Sequence, residues 1–461
     1  MATRIKDMTD GKPARLIVTF ALPLMLGSVF QQTYTIVDSI VVGRVAGVEA
    51  LAALGVSDWV NWMILGLVMG FAHGFTILIS QRFGAEDYAG LRKTVAMCTI
   101  LSGIIGVAMT VVGLSLAKPI LRAMQTPDNI IDNAHLYISI YSLGFPMLTA
   151  YNVSSSILRG MGDSKTPLWA MIIASVINII LDIIFVVVFR LGVAGVAVAT
   201  IMAQTFSFLY CLRAIKKLPI LRMEPGDWKL DKGIIGHLLR LSIPMACQNA
   251  IIGAGGIVVQ YVINGFGFVF VAGFTSTNRL YGLLEMAAMS FGFAMATFAG
   301  QNLGAGEYRR IREGVNSLVK IAIGTACAIT LAAIAFGRRV LMLYITGDPG
   351  EIEAVVNVAY KYLFIMAAFL FILYLLHVYR SALQGMGDTV MPMVSGIVEL
   401  VMRISTIILL PLLVGEIGLY FAEIAAWLGA VVVLMSAYYL RINRLENSSI
   451  PREGKAMPVN L

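Results

Sequence analysis

Charge is scarce in this chain. Only 13% of its 461 residues are Asp, Glu, Lys or Arg, against 59% hydrophobic, and a water-soluble protein of that length cannot hide so much apolar surface. Cysteine is nearly absent: Cys98, Cys211, Cys247 and Cys327 stand singly within apolar runs, which excludes a CxxC motif, a zinc site and a disulfide framework. His73, His135, His237 and His377 are scattered and suggest no metal centre. No GxxxxGK[ST] loop is present, so there is no built-in P-loop ATPase. The ~10-residue alternations of a membrane β-barrel are missing too. The polar start MATRIKDMTDGKPAR leads into a span too long for a signal-peptide core, with no small-residue cleavage site after it. The first span is therefore expected to stay in place.

What the chain does have is long apolar runs. Its mean hydropathy is +0.84, and stretches such as 96–117 and 170–189 reach the ~20 residues that span hydrocarbon as a helix. Scanning gives twelve such spans between residues 14 and 440, so the expected class is an all-α polytopic protein whose main partner is the lipid bilayer. The formal charge of +8 invites a nucleic-acid reading, but the positions of the charges refuse it. With loops assigned to alternating sides, 24 Lys and Arg fall on the side of the termini. Only 6 fall opposite: Arg44, Lys118, Arg122, Arg190, Arg338 and Arg339. That asymmetry is the positive-inside pattern, with both termini in the cytoplasm of a plasma-membrane protein. The basic excess orients the chain, and no nucleic-acid partner is expected.

Two loops are near copies. SSSILRGMGDSKTP at 154–167 and YRSALQGMGDTVMP at 379–392 each carry Gly-Met-Gly-Asp with a proline four residues past the Asp. Aligning them draws SQRFGAEDYAGLRKTV (80–95) onto GQNLGAGEYRRIREGV (300–315), and FALPLML (20–26) onto LSIPMAC (241–247). The chain thus reads as two copies of one six-helix unit. An even number of spans per unit makes the copies parallel, related by a pseudo-twofold along the membrane normal. The expected division is an N-terminal lobe over 1–215, a basic linker over 216–232 and a C-terminal lobe over 233–461. In the loops, Gly160, Gly162, Gly385 and Gly387 are expected to permit positive φ, and Asp163 and Asp388 to cap the helices that follow.

The doubled unit, the LRGMGDSKTP and LQGMGDTVMP loops and the GQNLGAGEYRR segment resemble those of the multidrug and toxic compound extrusion (MATE) transporters. The likeness covers roughly residues 12–445. It implies a twelve-helix, two-lobe exporter, not an enzyme, that exchanges a small organic, often cationic, drug for inward Na+ or H+. Major facilitator transporters also have twelve helices in two halves, but the loop QRFGAEDYAGLRK lacks their Arg-rich signature.

Ionisable residues at membrane depth are costly and mark function. In the first span Tyr34 and Asp38 are four apart, hence on one face, with Gln31 a further turn behind. Asn178 and Asp182 repeat that spacing in the fifth span. At ~1.5 Å per residue, Asp38 lies ~6 Å, Asp182 ~10 Å and Thr200 ~12 Å from the outer ends of their spans. Three helices thus present oxygens at similar depth, and Asp38, Asp182, Asn178 and Thr200 make a plausible Na+ site or a place for a shared proton. The resemblance supports Tyr34, Asp38, Asn178, Asp182 and Thr200 as coupling residues and adds Asn152. By the repeat offsets Asp38 corresponds to Val259, Asn178 to Arg403 and Asp182 to Ile407, so the second lobe does not copy this site.

The C-terminal lobe instead offers Glu285, one turn after Tyr281 and without a local partner, as a receiver for a cationic substrate. Glu399 and Arg403 are expected to pair with each other at i, i+4. Met286 and Met289 would suit an adaptable substrate wall, and Asp58 either lines the outer cavity or anchors at the interface. The sequence-level conclusion is a monomeric secondary active multidrug exporter with no cofactor beyond its coupling ion, Na+ or H+. The rival is a flippase for lipid-linked saccharide or lipid-like precursors, whose mark would be a strongly cationic central cavity.

Overall fold

The computed structural model describes residues 5–45, 47–345 and 349–449, and these are helical with no strand. The helices of the first half are α1 (Pro13–Val45), α2 (Val48–Gly84), α3 (Tyr88–Ala123), α4 (Asp128–Leu143), α5 (Phe145–Gly160), α6 (Lys165–Asp182) and α7 (Gly192–Lys216). The second half has α8 (Lys232–Asn264), α9 (Phe268–Gly304), α10 (Tyr308–Tyr344), α11 (Pro349–Ala368), α12 (Leu370–Gly385), α13 (Val390–Val414) and α14 (Ala422–Ser449). Each is built from an apolar run that satisfies its backbone internally, as lipid requires. α4 meets α5 at Gly144, and α11 meets α12 across a 49° bend at Phe369. Taking each pair as one broken crossing, the described residues cross the membrane twelve times, in two six-crossing bundles.

The packing repeats with the sequence. α1 lies on α6, α2 on α5, α3 on α5 and α6 on α7; in the second half α8 lies on α13, α9 on α12, α10 on α12 and α13 on α14. The halves meet along α2 with α8, α2 with α9, and α1 with α9. At the end of the bundle that carries residues 5–12 and 213–233, here termed the basic end, the relation between halves is visible atom by atom. The Gln81 amide donates to the Gly385 carbonyl at 3.0 Å, and Gln301, its counterpart, donates to the Gly160 carbonyl at 3.0 Å. A two-residue symmetry of this kind fixes a pseudo-twofold axis between α2 and α9.

Asp163 accepts hydrogen bonds from the backbone N–H groups of Lys165 and Thr166 at 3.0 and 2.9 Å, and Asp388 from that of Met391 at 3.1 Å. Both loops are thus capped as expected. Of the four loop glycines only Gly162 and Gly387 take positive φ, +87° and +79°. Gly160 and Gly385 are the last residues of α5 and α12, where a Cβ would meet Ile79 Cγ2 at 2.7 Å and Ala299 Cβ at 2.8 Å respectively. They allow helices to approach closely and do not turn the chain.

Residues 5–12 form a strap across the basic end. The fully buried Met8 donates its N–H to Gln301 Oε1 at 2.9 Å, and its carbonyl accepts from Asn302 at 3.1 Å and Arg310 at 3.3 Å. Gln301 therefore ties the strap, its own helix and α5 together.

Candidate functional site

Two polar regions stand out in the apolar body. The first is where α1 lies against α6, which widens into a π turn, Ile183–Val188, directly after Asp182. Such turns recur at functional sites because they re-aim side chains and loosen backbone pairing. Asp182 is fully buried, and Asn178, one turn earlier, is 1% exposed. Asp38 brings its carboxyl from α1 to within hydrogen-bonding reach of Asp182. Among the described residues no N–H or O–H donates to either Asp182 oxygen, and both polar atoms of the Asn178 amide lack a protein partner. Two carboxylates side by side in so dry a place repel each other unless a shared proton or a cation lies between them.

The other expected members are arranged differently. The Thr200 hydroxyl donates to the Val196 carbonyl at 2.9 Å, and the Asn152 amide donates to the Leu148 carbonyl at 2.9 Å. Leu148 and Thr200 line one small cleft, which puts both residues on the α5–α7 seam. Gln31 is half-buried on α1, its carbonyl accepting the Thr35 hydroxyl at 3.1 Å. The side chains of Tyr34 and Asp58 lie outside the described residues.

The second region is a central cavity of about 120 Å³ between the halves, walled by α2, α5, α8, α9 and α12. Its ionisable lining is Arg159, Arg380, His73 and His377. Met245, Met289 and Phe293 supply apolar surface, and Gln248 and Gln384 supply amides. No carboxylate belongs to the wall among the described residues. The Phe293 ring contacts both the His73 ring, at 4.7 Å centroid to centroid, and the Arg159 guanidinium, 5.4 Å from its centroid.

Two expectations about the second half need correction. Glu285 is not without a partner: His377 Nε2 lies 3.2 Å from its carboxylate. Helix α12 supplies this imidazole across the bundle, which spacing along α9 could not reveal. Glu399 and Arg403 do not pair with each other. Glu399 pairs with Arg380 of α12, and Arg403 pairs with Glu423 of α14 at 2.8 Å. Arg380 would otherwise be largely buried without a counter-charge, and uncompensated charge costs more than an exchanged partner. Tyr281 stacks on Trp427 at 5.8 Å within the same lobe, Met286 accepts the Ser290 hydroxyl on its carbonyl, and Met289 reaches the central cavity.

The family model described as MatE matches residues 23–184 and 244–409, once in each half. The chain belongs to the MatE family. It is 30% identical over 341 residues to the Bacillus subtilis protein named "Probable multidrug resistance protein YpnP", covering 74% of this chain and 76% of that one. It is 27% identical over 391 residues to the Pseudomonas aeruginosa "Multidrug resistance protein PmpM", covering 82% and 80%. Among solved structures, the outward-facing conformation of a multidrug resistance MATE transporter superposes with a TM-score of 0.90 at 24% identity, over 97% of this chain and 99% of that one. That likeness establishes the fold.

In this MatE transporter Arg159 and Arg380 escaped the sequence reading, which assigned them to loops by counting charges between spans. α5 and α12 run on to Gly160 and Gly385, so both guanidiniums are carried on helix and reach the cavity. One signal was available. Arg159 in LRGMGD has the apolar-face position of Gln384 in LQGMGD, and a residue facing the bundle in one copy faces it in the other.

Proposed function

We infer that this MatE protein is a secondary active exporter that moves small organic compounds outward in exchange for inward H+ or Na+. Lobes 1–215 and 233–461 alternate access to the central cavity, with 216–232 as the linker. The basic end faces the cytoplasm, with both termini, and the chain works as a monomer. The observation that carries the reading is the Asp38–Asp182 site. A buried carboxylate with no donor, one turn from an amide with no partner, is a poor structural element and a good place to bind and release a cation or proton. Filling it removes negative charge between α1 and α6, and a compound that favours the empty site must then lose affinity by the same factor. The cationic drug expected at Glu285 meets an imidazole there, so the cavity wall, and not Glu285, is the receiver in this reading.

The test is efflux from proteoliposomes under an imposed pH or Na+ gradient, one at a time. The drive should work with one ion and disappear in Asp38→Asn and Asp182→Asn. Normal gradient-driven efflux by both variants would refute the coupling site. The flippase reading gains from the cationic wall; it would be preferred if a lipid phosphate crossed the bilayer with no ion gradient.

A further inference from the structure

The central cavity holds a charge that the fold does not need. Arg159 donates to the Ser156 hydroxyl at 2.9 Å and lies over the Phe293 ring, and it forms no ion pair among the described residues. Arg380 is paired with Glu399, and His377 with Glu285. His73 packs against the Phe293 ring and brings no negative charge. The wall is therefore net positive, with the excess on Arg159. A guanidinium at this depth without a carboxylate is expensive, yet the equivalent place in the other half is filled by a neutral glutamine, Gln384, which lines the same cavity. The architecture tolerates a neutral side chain there, so the charge serves what enters.

The remaining lining fits the same kind of visitor. Gln248 is 3% exposed, and its Nε2 has no partner, while its Oε1 accepts from Gln384 at 3.3 Å. That amide nitrogen and the Arg159 guanidinium line the same cavity, and the guanidinium fork is shaped for two oxygens of one anion. Phe293, Met245 and Met289 form an apolar shelf beside it. The volume, about 120 Å³, is close to the roughly 150 Å³ of an engineered cavity that holds one benzene ring.

We propose that the central cavity binds a small organic anion, a carboxylate, sulfonate or phosphate on a body of about one aromatic ring, with Arg159 as the anion's fork and Phe293 as the shelf. The assignment rests on the exporter reading and names its substrate class, an anion where the family resemblance suggests a cation. A membrane potential negative inside would by itself favour outward movement of such a substrate.

The test is isothermal titration of the full chain in nanodiscs with three probes of similar shape: benzenesulfonate, benzenesulfonamide and benzamidinium. Benzenesulfonate should bind about tenfold or more tighter than the neutral amide, with benzamidinium weakest. Arg159→Gln should erase the preference for charge, and Arg159→Lys should retain most of it. If Arg159→Gln does not fold, the wild-type series and the lysine variant still decide. Tightest binding by benzamidinium, or an unchanged preference in Arg159→Gln, would overturn the proposal. Dodecyl phosphate and ethyl phosphate separate the sources: a further tenfold gain for the long chain supports a lipid headgroup, and parity supports a soluble acid. Gradient-driven efflux of benzamidinium without anion binding would remove the anion and leave the exporter. Anion binding that no gradient can drive would remove the exporter and leave the site.

Discussion

Replacing Gly84 by alanine should force the basic end open. At that end the halves touch at a symmetric pair of glycines, Gly84 on α2 against Gln301 of α9 and Gly304 on α9 against Gln81 of α2. A Cβ on Gly84 would stand 2.5 Å from the Gln301 carbonyl carbon, and one on Gly304 would stand 2.9 Å from that of Gln81. Ordinary carbon contacts begin at about 3.5 Å, so α2 and α9 must part by roughly 1 Å at this level. Both neighbours are backbone, which cannot swing aside. Overpacking of this kind costs about 1–3 kcal/mol, and parting the helices also weakens the Gln81–Gly385 and Gln301–Gly160 hydrogen bonds, each worth about 1 kcal/mol. The state closed at the basic end would lose about 2–4 kcal/mol relative to the open one, a shift of roughly 30- to 700-fold in their ratio. The assay places a single cysteine at Thr76, on the cavity wall, in a background without the native four, and measures labelling by a membrane-impermeant thiol reagent applied to the face of the basic end. Gly84→Ala should raise the labelling rate by tenfold or more and slow transport, whereas Gly103→Ala, with open space around it, should change neither. Labelling and transport both within twofold of wild type would refute the idea that this seam is the gate.

Asp38→Asn and Asp182→Asn should each abolish ion-driven efflux and make benzenesulfonate affinity independent of the coupling ion, since the carboxylates lie on α1 and α6, not on the cavity wall, and act on the compound only through the site they share; an ion-dependent affinity in both variants would contradict that linkage. Glu399→Ala should strand the largely buried Arg380 and cost about 2–4 kcal/mol in thermal unfolding, and Glu399→Leu combined with Arg380→Leu should recover most of it; additive losses in the double variant would show that the pair is not coupled. Asp163→Ala removes acceptors for the Lys165 and Thr166 N–H groups and for the Thr166 hydroxyl at 2.5 Å, and should lower stability by about 1–2 kcal/mol; a change under about 0.3 kcal/mol would deny the cap its role.

What the sequence showed and what it hid divide along a physical line. Asp38, Asn178 and Asp182 were legible because a polar group in a long apolar run has an energetic cost that needs no knowledge of its neighbours, and the i, i+4 spacing states which face it occupies. Glu399 and Arg403 were legible as buried charges for the same reason, but their partners were not, since spacing along α13 says nothing of what α12 and α14 present to it. Arg159 and Arg380 fell at the seam between span and loop, where a hydropathy scan ends a helix before the backbone does. The repeat offered more than was taken from it. Gln81-x-x-Gly84 and Gln301-x-x-Gly304 occupy matched places in the aligned segments, and each glutamine reaches the glycine that ends the other half's Gly-Met-Gly-Asp helix. A side chain that lies beside a twofold axis must face its own copy's surroundings, so matched polar residues beside matched glycines predict a contact across the axis. That inference needs only the alignment of the two halves, and it would have located this contact before any coordinate was known.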